Sequence, residues 1–120
     1  MGKSGFKDLN VWRKSKSLAV QIYQVTGEGR LAHDFGLRDQ MRRASVSICS
    51  NIAEGDERNS NRDSIRFFCI AKGSLAELIT QIEIADEIGY LDSDKKKSLG
   101  QECEEIGKML GSLIKSRTDK

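Results

Sequence analysis

The sequence predicts an all-α fold, namely an antiparallel up-down-up-down four-helix bundle. Apolar residues recur every three or four positions along most of the 120 residues, as they do on the buried face of a helix. The chain contains no proline, so nothing forces a break inside a helix. Clusters of glycine and polar residues at 26–29, 56–61 and 89–93 separate four segments, which pack most simply as a bundle with short links.

The first two predicted helices each have a candidate cap and an apolar stripe. Helix 1 spans about residues 9–25 behind Asp8, and helix 2 spans about residues 35–55 behind Asp34. The stripe of helix 1 includes Leu9, Trp12, Ala19, Ile22 and Tyr23. The stripe of helix 2 is Leu37, Met41, Ala44, Ile48 and Ile52. Both aromatic residues of helix 1 are therefore expected in the core.

Helix 3 is predicted to be the longest, at about residues 61–88, and its apolar arc is wider than one bundle core can bury. The surplus predicts a species several times larger than one subunit. Candidate subunit contacts are Phe67, Ile70, Ile79 and Ile84. Helix 4 follows a cap at Ser93, and its apolar residues have a heptad-like rhythm. They are Leu99, Cys103, Ile106, Leu110 and Leu113.

Composition indicates one globular domain without a membrane span. Hydrophobic residues make up 38% of the chain, yet no apolar run approaches the ~20 residues that a span requires. The lysines near the N-terminus precede no apolar stretch, so we expect no secretory signal and a cytoplasmic location. We expect a flexible N-terminal arm at 1–8, a single domain at 9–117 and a tail at 118–120.

Residue types needed for catalysis or metal binding are scarce. Cys49, Cys69 and Cys103 are far apart, and the only histidine is His33, whereas a zinc site needs about four such ligands. We interpret the cysteines as small, reduced hydrophobic residues. The chain has neither a phosphate-binding glycine loop nor a nucleophile–base pair, so we expect no enzymatic activity, no cofactor and no metal.

A polar stripe runs along helix 2 beside the apolar one, and helix 3 offers possible partners. Its candidate members are Arg43, Ser47, Asn51, Glu54, Arg66 and Glu77. Two interpretations remain open: a solvated boundary face, or a hydrogen-bonded network between helices or between subunits. Gly73 lies inside helix 3, where glycine costs roughly 1 kcal/mol relative to alanine, so a close approach is expected there.

Three segments carry a family resemblance. Residues 8–14 read DLNVWRK, residues 42–55 contain RRASVSI and SNIAEG, and residues 67–78 contain FF, AKGSL and EL. This pattern resembles the four-helix-bundle family named for proteins encoded in intervening sequences of bacterial large-subunit ribosomal RNA genes. The resemblance spans about residues 8–91, which is most of the chain.

The resemblance implies four antiparallel helices and a ring-shaped homo-oligomer, commonly a pentamer. The family's genomic setting, and a distant similarity to accessory proteins of diversity-generating retroelements, imply contact with RNA or with a reverse transcriptase. The family usually has proline where Cys49 stands, so helix 2 is expected to be straighter here. The family also tends to have a Phe-Pro pair in the first loop, where this chain has Gly29-Arg30-Leu31.

Two functional hypotheses follow. The first is an oligomer that binds RNA or other nucleic acid through a basic patch repeated around it. Its candidate contacts are Lys7, Arg13, Lys14, Lys16, Arg38 and Arg42. With the aromatic residues assigned to the core, binding is expected to be directed to the backbone. The second is a scaffold that docks a partner enzyme through the acidic turn after helix 2, at Glu54, Asp56, Glu57 and Asp63.

Overall fold

A computed structural model describes residues 5–118, and within that range the chain is all-α. Four helices account for most of it: α1 (Asn10–Val25), α2 (Phe35–Asp56), α3 (Asn61–Glu87) and α4 (Ser93–Thr118). Two short 3₁₀ helices, Gly5–Asp8 and Gly29–His33, precede α1 and α2. The four predicted helices are confirmed, and no strand occurs between residues 5 and 118.

The predicted N-terminal arm is described only in part. Gly5–Asp8 forms the first 3₁₀ helix, and the ring of Phe6 lies 5.1 Å from that of Trp12 in an edge-to-face arrangement. Residues 1–4 of the arm and residues 119–120 of the tail lie outside the described residues. No helix of the described chain is long and apolar enough to cross a membrane.

The helix starts follow capping chemistry, with two corrections. Asp34 caps α2 as predicted, because its carboxylate accepts a 3.2 Å hydrogen bond from the backbone N–H of Leu37. The prediction for Asp8 is wrong, since Asp8 ends the 3₁₀ helix and Leu9 occupies the N-cap position. The prediction for Ser93 is also wrong by one residue: the carboxylate of Asp92 accepts from the N–H of Lys95 at 2.8 Å.

The core lies where the four apolar stripes meet. α2 packs against α1 and α3, and α4 packs against α3 and α1. Fully buried side chains come from every helix and from the second 3₁₀ helix: Leu18, Ile22, Leu31, Met41, Ile48, Ile52, Phe68, Leu78, Ile106 and Leu110. Each such side chain contributes roughly 1.5–3 kcal/mol of transfer free energy. α2 is continuous through Cys49, where the family usually has proline.

α2 and α3 approach each other closely at Gly55. A Cβ atom at this position would lie 2.6 Å from the ring of Phe68 and 3.0 Å from the carbonyl oxygen of Ser64. The Ser64 hydroxyl donates a 2.7 Å hydrogen bond to the carbonyl of Gly55, which ties the two helices together at the turn. Only glycine leaves room for this contact.

Candidate nucleic-acid and subunit interfaces

Three of the predicted cations lie on one surface with two exposed aromatic rings. We call it the α1–α2 surface and define it by Lys16, Tyr23, Phe35, Arg38 and Arg42. The prediction that Tyr23 belongs to the core is wrong, because its side chain is 47% exposed. The helical period places Tyr23 at the edge of the apolar stripe, on the side of α1 that borders α2. Trp12 is half-buried against the core.

Arg42 is held in a fixed position over Tyr23. Its guanidinium carbon lies 4.6 Å from the centre of the Tyr23 ring. Its Nε donates a 2.8 Å hydrogen bond to the hydroxyl of Thr26, which is buried and itself donates to the carbonyl of Ile22 at 2.6 Å. Nη2 donates to the carbonyl of Tyr23, whereas Nη1 has no partner among residues 5–118. The guanidinium therefore keeps donors for an external acceptor.

A second guanidinium–aromatic pair lies one helical turn earlier on α2. The ring of Phe35 is 60% exposed, and the guanidinium carbon of Arg38 lies 4.7 Å from its centre. Arg38 donates to the carbonyl of Ala32 at 3.1 Å and pairs with Asp39 at 2.9 Å. Lys16 lies 5.2 Å above the Trp12 ring and has no carboxylate partner within the described chain.

The remaining predicted cations lie elsewhere. Lys14 faces α4, where its ammonium pairs with Glu105 at 2.9 Å and Glu102 at 3.2 Å. The hydrogen bond to Glu105, and to a smaller extent that to Glu102, raises the pKa of Lys14. The two carboxylates compensate its positive charge. Arg13 pairs with Asp8 at 3.5 Å and donates to the carbonyl of Lys7. The structure therefore divides the predicted patch and brings only Lys16, Arg38 and Arg42 together.

Part of the predicted polar stripe joins α2 to α3. The hydroxyls of Ser47 and Ser74 are 2.8 Å apart across the two helices. The amide nitrogen of Asn51 donates to the carbonyl and to the hydroxyl of Ser47, at 2.9 and 3.0 Å. These three residues form a small interhelical network. Glu54 instead forms an ion pair with Arg58, which lies four residues later, just beyond the end of α2, and the guanidinium carbon of Arg66 lies 4.9 Å from the centre of the Phe67 ring.

A polar groove of about 340 Å³ lies beside this network. We call it the α2–α3 groove; it is lined by Gln40, Arg43, Ala44, Ser47, Glu77 and Gln81. Arg43 and Glu77 carry opposite charges, yet neither has an ion-pair or hydrogen-bond partner within the described residues. The Gln81 side-chain oxygen is buried and receives no hydrogen bond there. A buried acceptor without a donor is unfavourable, so the groove presents unmet hydrogen-bonding capacity.

The exposed isoleucines of α3 do not form one strip. Ile70 and Ile84 are 45% and 46% exposed and share a face, with Ile88 at its end; we call these three the isoleucine face. This face borders the α2–α3 groove. Ile79 lies about 180° around the helix from Ile70 and lines a different groove, between α3 and α4. Phe67 is half-buried, with guanidinium carbons of Arg58 and Arg66 at 4.4 and 4.9 Å from its ring centre.

Gly73 lies beside the isoleucine face and has no packing neighbour. Outside its own stretch of helix, no described atom lies within 4 Å of the position that a Cβ would take. The expected close approach is therefore absent within the subunit. Gly111 in α4 is equally open.

The acidic turn is partly neutralised. Asp56 pairs with Arg117 near the end of α4 at 2.9 Å, and both side chains are largely buried. Asp63 lies in the first turn of α3, where its backbone N–H donates to the capping hydroxyl of Ser60. Glu54 is paired with Arg58, whereas Glu57 is exposed. Two of the four carboxylates, those of Glu54 and Asp56, are thus engaged in ion pairs within the subunit.

The three cysteines are all free, but they differ in environment. Cys103 is buried, and burial raises the pKa of its thiol to about 11. Burial also raises the pKa of half-buried Cys49. Cys69 is free like the other two but is exposed. Among the described residues, no group of His, Cys, Asp or Glu has an arrangement that could hold a metal ion.

These features define an all-α protein of four helices, with exposed cationic, aromatic and aliphatic side chains on separate surfaces. The chain belongs to the family described as 23S rRNA-intervening sequence proteins, which it matches over residues 7–112. The resemblance seen in the sequence is thereby confirmed. The family points to no enzymatic class.

One solved structure is similar to most of this chain. It is the crystal structure of a protein of unknown function from the S23 ribosomal protein family of Bacteroides thetaiotaomicron. The identity is 29%, the TM-score is 0.81, and the alignment covers 88% of this chain and 98% of that one. No curated protein matches the chain.

Proposed function

We propose that this protein is a non-enzymatic homo-oligomer that binds RNA through copies of the α1–α2 surface. The observation that carries the proposal is the pair Lys16 and Arg42, two cations without carboxylate partners on a surface with exposed aromatic rings. Uncompensated cations favour a polyanion such as the RNA backbone. The description of the family as rRNA-intervening sequence proteins agrees with an RNA setting.

The proposal includes helices that alternate in direction. Contacts between α2 and α3 support it, because Ser47 meets Ser74 whereas Gly55, further along α2, meets Ser64, which lies earlier on α3. Alternation puts α1 and α2 side by side along their length, so that Lys16 and Arg42 share one surface.

It also includes a ring of identical subunits, five according to the family resemblance. Three features support an external contact beside α3: the isoleucine face, the open Cβ position at Gly73 and the unpaired groove charges Arg43 and Glu77. Burying apolar area at about 25 cal/mol per Å² would stabilise such a contact. A ring repeats the weak RNA surface of one subunit and raises its avidity.

RNA binding is tested by fluorescence anisotropy with a labelled single-stranded RNA at two salt concentrations. We expect the affinity to fall steeply with added salt, and the double variant K16Q/R42Q to bind more weakly with a smaller salt slope. Each lost phosphate contact lowers the slope by about 0.7 for a single strand. The matched control is K97Q/K108Q, which removes two exposed lysines of α4. Equal losses in both double variants, or no binding at low salt, would refute the RNA surface.

Assembly is tested by light scattering. The protein should form a species several times larger than its 13.4 kDa subunit, and I70K/I84K should dissociate it because lysine is costly to bury. I79K is the control, since Ile79, at 40%, is nearly as exposed as Ile70 and Ile84 but lies on the opposite side of α3. A monomeric wild-type protein, or dissociation by I79K alone, would contradict this interface.

A further inference from the structure

We infer that the α1–α2 surface is a stacking site for unpaired bases of single-stranded RNA, with Tyr23 and Phe35 as the stacking residues. The inference rests on the proposed RNA binding and adds base stacking to the contacts with the backbone. A site that contacts only the backbone meets phosphates in single and double strands alike. A stacking site instead requires bases that are not paired with another strand.

The two rings are exposed although aromatic side chains are strongly favoured in a core. Tyr23 is 47% and Phe35 is 60% exposed, and Phe35 is the most exposed large hydrophobic residue among those described. Each ring has a guanidinium near one side, at 4.6 Å for Arg42 and 4.7 Å for Arg38. The exposed part of each ring remains available to a planar ligand.

The pairs are pre-ordered by the fold. Arg38 is fixed by the carbonyl of Ala32, and Arg42 is fixed by the buried hydroxyl of Thr26. Residues 38 and 42 are one turn apart on α2, so the backbone positions of the two arginines are separated by about 6 Å along the helix. One strand can therefore reach both, at a small entropic cost to the protein.

A third pair extends the same end of the molecule. The guanidinium carbon of Arg30 lies 5.3 Å from the ring centre of Tyr90, and Arg30 also donates to the carbonyl of Gly89. Together with Phe35 and His33 they line an open groove of about 630 Å³. Asp34 also lines this groove, and its carboxylate accepts a 3.1 Å hydrogen bond from the Tyr90 hydroxyl. Arg30 and the two rings therefore extend the cationic and aromatic groups of the α1–α2 surface, with one carboxylate among them.

The surface favours RNA over an apolar protein partner or a second copy of the chain. Lys16 and Arg42 form no ion pair with a carboxylate of the described residues, and burying them under an apolar partner would leave charges unpaired. Phosphates would pair these charges while bases cover the rings. The isoleucine face, which is formed by three exposed aliphatic side chains, suits a subunit contact better.

The test compares Y23L/F35L with the wild-type protein on one RNA sequence in single-stranded and duplex form. Leucine keeps an apolar side chain but removes the π face. We expect single-strand affinity to fall about tenfold or more with an unchanged salt slope, since no cation is lost. Duplex affinity should change little, because paired bases are already stacked on one another. The variant Y23F keeps its ring and should bind like the wild type.

F67L is the matched control. Phe67 is also an aromatic residue beside arginine, but two guanidinium groups flank its half-buried ring, so we expect no effect. Salt-sensitive wild-type binding that survives Y23L/F35L, or equal losses on duplex and single strand, would overturn the stacking site and leave the proposed function standing. A wild-type protein that binds no RNA would overturn both.

Discussion

Replacing Gly55 with alanine tests how closely α2 and α3 are packed. The added Cβ would lie 2.6 Å from the Phe68 ring, and ordinary contact requires nearly 1 Å more. Phe68 is fully buried, so the ring has little room to move. Such overpacking costs about 1–3 kcal/mol. The better helix propensity of alanine returns about 0.5–1 kcal/mol. We therefore expect G55A to be less stable by about 1–2 kcal/mol.

The assay is thermal and urea unfolding followed by circular dichroism, at one protein concentration because assembly also contributes to stability. For a domain of this size the expected change lowers the melting temperature by about 4 °C per kcal/mol. G111A is the control, because nothing lies near its Cβ position, and it should raise stability by about 0.5–1 kcal/mol. If G55A proved as stable as G111A, the close approach at the helix 2–3 turn would not exist.

Three further results are expected. Thiol labelling at pH 8 followed by mass spectrometry should modify Cys69 first and Cys103 last, because burial holds the Cys103 pKa at about 11 and keeps it protonated; rapid modification of Cys103 would contradict its burial. D34A should lower the free energy of unfolding by about 1 kcal/mol, whereas D34N, which keeps a capping oxygen, should lose less; equal losses would argue against the cap. A double-mutant cycle with S47A and S74A should give a coupling energy of about 0.5–1.5 kcal/mol, and additive effects would exclude the hydroxyl contact.

Features that depend on residues three or four apart could be predicted from the sequence. The apolar stripe of helix 2 is buried at four of its five positions, and Asp34 caps that helix. The cap of helix 4 was misplaced because Asp92 and Ser93 are adjacent and both are good capping residues. Local spacing defines where a helix begins only to within a residue or two.

Features that depend on a second helix could not be predicted in the same way. Lys14 looked like part of a basic patch, but its partner Glu102 lies 88 residues away. Tyr23 looked like core because it lies near an apolar stripe, but its side chain is 47% exposed and lies beside Arg42 of the neighbouring helix. Phe35 directly follows a cap and lies off the stripe of helix 2, a signal that could have indicated its exposure.

The hydroxyl of Thr26 orients the guanidinium of Arg42 without contributing any charge of its own. T26V would leave the net charge, the isoelectric point and the aromatic rings as they are, while it removes the acceptor that aims the guanidinium at Tyr23. A substitution at this buried position would thus change the orientation of an arginine on the protein surface. Homologues that differ only there would be expected to differ in ligand preference while remaining alike in every bulk electrostatic property.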